Sequence, residues 1–215
     1  MVGMPPPDRL LAFTLAAFVL IIIPGPSVLF VVSRALAYGR RAALATVAGG
    51  AVGSFTLAVA VAIGVGAIVQ ASAVAYTVIK LAGTAYLIFL GVKAFRHRKA
   101  LAAAFETGPD RVNRRPWLQG FVVGVTNPKT AVFFAAVLPQ FVDPEAGPAG
   151  LQMVVLGSIF AGIALASDAV WGVVAGAARS WLARSRRRME LFGGAAGLTM
   201  VGLGIGLAVE GRKTT

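Results

Sequence analysis

The chain has 215 residues, of which 58% are apolar and only 13% charged, about half the charged share of a soluble domain. A water-soluble fold of this size covers its surface with polar groups, and this chain has too few. The composition calls for a single polytopic bundle in a lipid bilayer and excludes a soluble enzyme. The formal net charge is +12, but the basic residues fall in short tracts between long apolar runs. That pattern suits topology determinants beside anionic headgroups rather than a nucleic-acid surface. Cysteine is absent, which removes disulfides, thiolate metal sites and dithiol electron transfer.

Six apolar stretches follow one another: Leu10–Ser33, Ala42–Val69, Ala73–Val92, Trp117–Phe141, Leu151–Ala178 and Leu191–Val209. Each is close to the length that a helix needs to cross a hydrocarbon core of about 30 Å. In lipid only helices or closed barrels satisfy the backbone, and the runs lack the alternation of barrel strands. The expected fold is therefore all-α. Leu10–Ile23 resembles the apolar region of a signal peptide, and Ala35-Leu36-Ala37 a cleavage site. The apolar run resumes after Pro26, however, and Arg34 sits just before the site, so a retained span is expected.

The first stretch is interrupted at Pro24-Gly25-Pro26 and the fourth at Asn127-Pro128-Lys129, and a similar apolar run follows each interruption. Three spans separate the two, so the second half is inverted relative to the first. The expected organisation is one transmembrane domain over 1–215. It consists of a three-helix repeat at 8–94, a basic cytoplasmic loop at 95–116 and a second three-helix repeat at 117–209. By helix rise Pro24 lies ~20 Å from the outer end of its span and Pro128 ~16 Å from the inner end of its own. A lone proline in a membrane helix is as readily a kink. Two breaks at matching depths point to a binding site.

Proline cannot donate, so the carbonyls of Leu20, Ile22 and Gly124 lose their usual partners. The residue before a proline leaves the helical region, so Gly25 and Asn127 should be non-helical. Pro26 and Pro128 suit the first position of a new half-helix, with Asn127 as N-cap. The new N-termini offer N–H groups at Ser27 to Leu29 or Lys129 to Ala131 to an anion, and the freed carbonyls suit a cation. A zwitterionic amino acid carries both charges on adjacent atoms. The substrate-binding candidates are Pro24, Gly25, Pro26, Ser27, Asn127, Pro128 and Lys129.

Intramembrane charges are functional candidates by default. Asp168 is the only acid inside any stretch, and it is the candidate ion-coupling group. Lys80 is a second candidate, or a residue that snorkels to the interface. Lys129 and Asp168 read either as site residues or as a structural pair between helices. The single histidine, His97, lies in a basic loop and cannot make a metal site alone. No cofactor is called for. The pairs Gly49 and Gly53, Gly120 and Gly124, and Gly193 and Gly197 have the spacing that lets helices approach closely. They serve core packing or, as a second use, a homodimer interface. Met and Phe read as lipid-facing or core filler.

The ordered blocks resemble the lysine exporter family (LysE/RhtB), the bacterial amino-acid and homoserine/threonine efflux proteins. They are Pro24-Gly25-Pro26, Ser33-Arg34 with Gly39-Arg40-Arg41, Gly49 and Gly53, and Lys80 and Gly83 before Tyr86-Leu87 and Gly91. Gly120-Phe121, Asn127-Pro128-Lys129, Phe133-Phe134, Leu138-Pro139-Gln140-Phe141, Asp168 with Trp171, and the arginine-rich run before Gly193 complete them. The resemblance adds Gln140 to the binding candidates. It implies a secondary transporter in the bacterial cytoplasmic membrane that exports small amino acids or their derivatives, such as homoserine, threonine or lysine, driven by an ion gradient. With Asp168 as the coupling group, protons are the expected counter-ion. A passive channel is the alternative, although the spans lack the continuous polar lining it would need.

Fifteen Lys and Arg lie in the three tracts that follow the first, third and fifth stretches. Only Arg9, Arg212 and Lys213 lie on the opposite side. The positive-inside rule then puts both termini outside. Reporter fusions active only outside the cytoplasm should therefore be active at Thr215 and near Asp143, and silent within residues 100–113. A cytoplasmic C-terminus would reverse the orientation.

Overall fold

The computed structural model describes residues 4–71 (65–71 by backbone alone) and 115–177, with isolated positions between 74 and 96 and at 187 and 191. The described residues are helical, with no strand among them. In chain order they form α1 (Pro7–Ile22), α2 (Pro26–Tyr38), α3 (Arg40–Ala71), α4 (Pro116–Thr126), α5 (Pro128–Ala136) and α6 (Ala149–Ala177). Between α5 and α6 come two 3-10 turns, at Leu138–Phe141 and Pro144–Ala146.

Two of these helices, α3 and α6, are each long and apolar enough to cross a membrane alone. The two expected breaks are present. α1 and α2 meet at a bend of 49°, and α4 meets α5 and its 3-10 turn at a bend of 42°; each bent pair passes the same test as one span. Four candidate spans thus match the first, second, fourth and fifth apolar stretches. Lys80, His97, more than half of the third stretch and all of the sixth but Leu191 lie outside the described residues.

Local chemistry explains the boundaries. Proline occupies the first turn of α1, α2, α4 and α5, where its missing N–H costs no helix bond. α2 ends at Gly39, whose φ of +84° is a left-handed conformation that glycine adopts without strain. One residue later α3 begins.

α3 is the axis of the described bundle and packs on α4 along one face and α6 along another. The α3–α4 contact is backbone against backbone. A Cβ built at Gly49 would lie 1.9 Å from the Trp117 carbonyl oxygen, and one at Gly120 would lie 1.9 Å from that of Thr46. At Gly53 and Gly124 the nearest atoms are the Phe121 and Gly50 oxygens, each at 2.3 Å. Both expected glycine pairs are therefore used inside the chain, against each other. Gly193 and Gly197 lie outside the described residues.

Two apolar clusters lie on either side of the breaks. One joins Phe13 and Leu20 of α1, Phe133 and Phe134 of α5, and Leu156 and Phe160 of α6. The other is aliphatic, and draws on Val28, Val31 and Val32 of α2, Ala43 and Val47 of α3, and Ala175 of α6. The breaks lie between them, in mid-bundle.

The glycine seam yields a direct test. Gly120→Ala pushes a methyl group into backbone that cannot yield, so stability should fall by about 1–3 kcal/mol and membrane accumulation should drop. Gly64→Ala, with nothing within 4 Å of the added carbon, should accumulate normally. Quantitative blotting of membranes distinguishes the two.

Candidate functional site

The first break spans residues 23–25. Ile23 is extended, with φ −68° and ψ 116°, and Gly25 has φ −114° and ψ −168°. In the second break Asn127 is extended, with φ −66° and ψ 109°. Both pre-proline residues are thus non-helical, as the steric rule requires.

The two N-termini are finished differently. In α5 the Asn127 side chain caps the helix by accepting from the Lys129 backbone N–H at 3.1 Å, and the Ala131 N–H is bonded to the Asn127 carbonyl at 2.9 Å. In α2 the N-cap is Gly25, which has no side chain to offer. The Leu29 N–H is bonded to the Gly25 carbonyl at 3.0 Å. The donors exposed at the breaks are therefore fewer than the sequence suggests. Leu29, Ala131 and Lys129 have their N–H groups bonded within their own helix starts. Ser27 and Val28 of α2 have N–H groups without a partner among the described residues, and the first free donor of α5 is Thr130.

The breaks meet each other. Lys129, only 5% exposed, sends its Nζ across to the Ile23 carbonyl at 2.8 Å. The Asn127 Nδ2 donates to the Ser27 Oγ at 3.2 Å. Sequence reasoning pointed to the carbonyls that lose a proline N–H. The carbonyl that Lys129 finds is instead one of the four that every helix end leaves open, which was countable from the position of the break.

Asp168 is half-buried on α6. Its carboxylate and the Lys129 ammonium interact electrostatically but form no ion pair within 4.0 Å. The structure therefore brings together residues 23–28, Asn127, Pro128, Lys129 and, at longer range, Asp168. Gln140 is not part of this group. It is exposed on the 3-10 turn beyond α5, where its Nε2 donates to the Ala136 carbonyl at 2.8 Å. Among the described residues no group of three His, Cys, Asp or Glu could hold a metal ion.

The LysE type translocator family model matches residues 18–211. The chain belongs to that family. A Vibrio cholerae membrane protein is 39% identical over 62% of this chain and 65% of its own length. The Bacillus subtilis membrane protein YrhP is 30% identical over 91% of this chain and 96% of its own. A Salmonella typhi protein named as a homoserine/homoserine lactone efflux protein is 34% identical over 68% of this chain and 70% of its own. No solved structure matches. As a LysE type translocator the chain is a membrane transporter and not an enzyme.

Asn127 both caps α5 and reaches α2, which separates two variants. Asn127→Ala should lower stability by about 1 kcal/mol or more. Asn127→Ser keeps a capping oxygen but cannot reach Ser27, and should cost clearly less. Melting transitions of the purified protein in detergent compare them.

Proposed function

We propose that the chain exports small zwitterionic amino acids, homoserine among them, through a site formed where the two breaks meet. The observation that carries this reading is the cross-break arrangement. Lys129 reaches Ile23, the Ser27 and Val28 N–H groups lie at an uncapped helix start, and a separate carboxylate at Asp168 feels the Lys129 charge. An α-carboxylate suits the α2 N-terminus and the ammonium of Lys129. An α-ammonium suits Asp168 and the carbonyls at the end of α1. Asn127 positions the second break rather than binding the substrate by itself. The Salmonella relative's name supports the substrate class, and the family supports the direction.

In this reading the described helices belong to two inverted three-helix repeats, 8–94 and 117–209, with the loop at 95–116 in the cytoplasm and both termini outside. The membrane is the bacterial inner membrane, and Asp168 exchanges the proton that drives uphill export.

Two variants test the parts separately. Lys129→Met removes one charge-assisted hydrogen bond to the carboxylate, worth about 1.5–3 kcal/mol, and should weaken substrate binding by roughly tenfold to a hundredfold. Equal affinity in the variant would place the carboxylate elsewhere. Asp168→Asn keeps the shape and removes the titrating group. It should still exchange labelled for unlabelled homoserine in proteoliposomes while failing to accumulate it when a pH difference is imposed. Uphill transport by this variant would exclude Asp168 as the coupling group, and wild-type protein that only equilibrates would indicate a passive channel.

A further inference from the structure

Four phenylalanines lie between the breaks and the end of the bundle formed by residues 138–148. Phe13 of α1, Phe133 and Phe134 of α5, and Phe160 of α6 are each at most 2% exposed. Phe160 meets Phe134 edge-on with ring centroids 4.7 Å apart, and meets Phe133 at 5.6 Å. Phe13 links this group to the outermost layer, at 5.9 Å from Phe133 and 5.4 Å from Phe141 on the 3-10 turn. The buried side chains of the cluster on the other side of the breaks are aliphatic, with Trp171 half-buried against them, so the fully buried rings gather at one end.

The loop over the rings is fastened. Gln152, fully buried, accepts from the Asp143 N–H at 2.9 Å and donates to the Asp143 and Gly147 carbonyls at 2.7 and 3.1 Å. Arg9 of α1 donates to the Val142 carbonyl. α1 itself is held differently from α4. Among the described residues no glycine seam locks it, and it packs on α6 and the 3-10 turn through side chains such as Phe13 and Leu20. Its other face, with Leu11, Leu15, Phe18 and Val19, is exposed and suits lipid. Its C-terminal end is the non-helical segment at 23–25.

We propose that Phe13 is the bolt of a gate at this end, that α1 is the arm that carries it, and that residues 23–25 are the hinge. The arrangement seen is the closed position. A plug of rings excludes water and solute alike, so anything moving between the breaks and this end displaces a ring. Phe13 is the ring carried by α1, which packs through side chains and not through the glycine seam that holds α4. Its removal from between Phe133 and Phe141 takes torsional change at residues 23–25, where helical geometry is already interrupted, and release of the Arg9 bond to Val142. Gln152 holds the loop still, and the Arg9 bond to the Val142 carbonyl, which ties the arm to the loop, is released when the arm moves. The gate rests on the transport reading for what passes through it, and not for its geometry.

The chain has no cysteine, so introduced thiols are the only ones present. In a Phe13→Cys and Phe141→Cys protein, a short reducible thiol cross-linker should pin α1 to the turn. Exchange of labelled homoserine should then fall by about tenfold or more and return on reduction. A cross-linked protein that transports as fast as its reduced form overturns the gate. A second comparison needs no transport. Ser27→Cys should react with a membrane-impermeant maleimide, supplied from the side of residues 138–148, about tenfold faster when Phe13→Ala is added. Phe13→Leu should give a smaller increase. Equal labelling rates in all three overturn the gate whatever solute the protein carries, and faster labelling without any homoserine transport would uphold the gate while sinking the substrate assignment.

Discussion

Backbone that is neither helix nor strand is expensive at the centre of a bilayer, because no water is present to take the freed carbonyls and N–H groups. This chain makes two such interruptions and sets them face to face. The bond from Lys129 to the Ile23 carbonyl serves both partners. It gives an acceptor to an ammonium that is almost fully buried and a donor to a carbonyl that α1 cannot satisfy. Either group alone would be costly to bury. Asn127 repeats the device at smaller scale, since one amide caps α5 and reaches Ser27. The breaks hold each other open, so neither half of the chain can be understood without the other.

Position matters as much as chemistry, and the glycine seam supplies it. α4 ends at the second break, and Gly120 and Gly124 press its backbone onto α3. A helix held by backbone contact has little freedom to slide, so Asn127 and Lys129 stand on a fixed base. α1 ends at the first break without such a seam, and depends on rings and aliphatic side chains for its place. Apolar side chains pack densely but have no directional register of their own. The two helices that enter the breaks are therefore held by different means, for a reason visible in their composition.

Much of this was legible from the residues. Apolar run lengths located the described spans, and the steric rule for residues before proline located Gly25 and Asn127. The spacing of Gly49 and Gly53 with Gly120 and Gly124 announced a close helix contact, though not which helices would share it. Other features were hidden because they depend on which side chains meet. Nothing in the spacing of Phe13, Phe133, Phe134 and Phe160 distinguishes a ring cluster from scattered lipid-facing residues, since membrane helices carry apolar groups on all faces. Gln152 reads as an ordinary polar residue near a helix start until its three bonds to the loop are seen. Gln140, one of the Leu138–Phe141 block, sits beyond the second break because α5 stops at Ala136 and a 3-10 turn intervenes.

In the proposed reading, the separation of Lys129 from Asp168 bears most directly on substrate choice. Had the two formed a contact pair, each charge would have been the other's chief compensation, and a substrate would have had to break the pair before gaining anything. Apart, each keeps an unmet demand for a charged partner within range of its opposite. Lys129 spends one of its three donors on Ile23, which orients the ammonium without neutralising it. A solute with a single charge could answer only one of the two residues and would leave the other buried and uncompensated. A zwitterion answers both, and it adds no net charge to a bundle interior that tolerates little. In the proposed reading, selectivity for such solutes comes from the spacing of Lys129 and Asp168, and not from a pocket shaped around any one side chain.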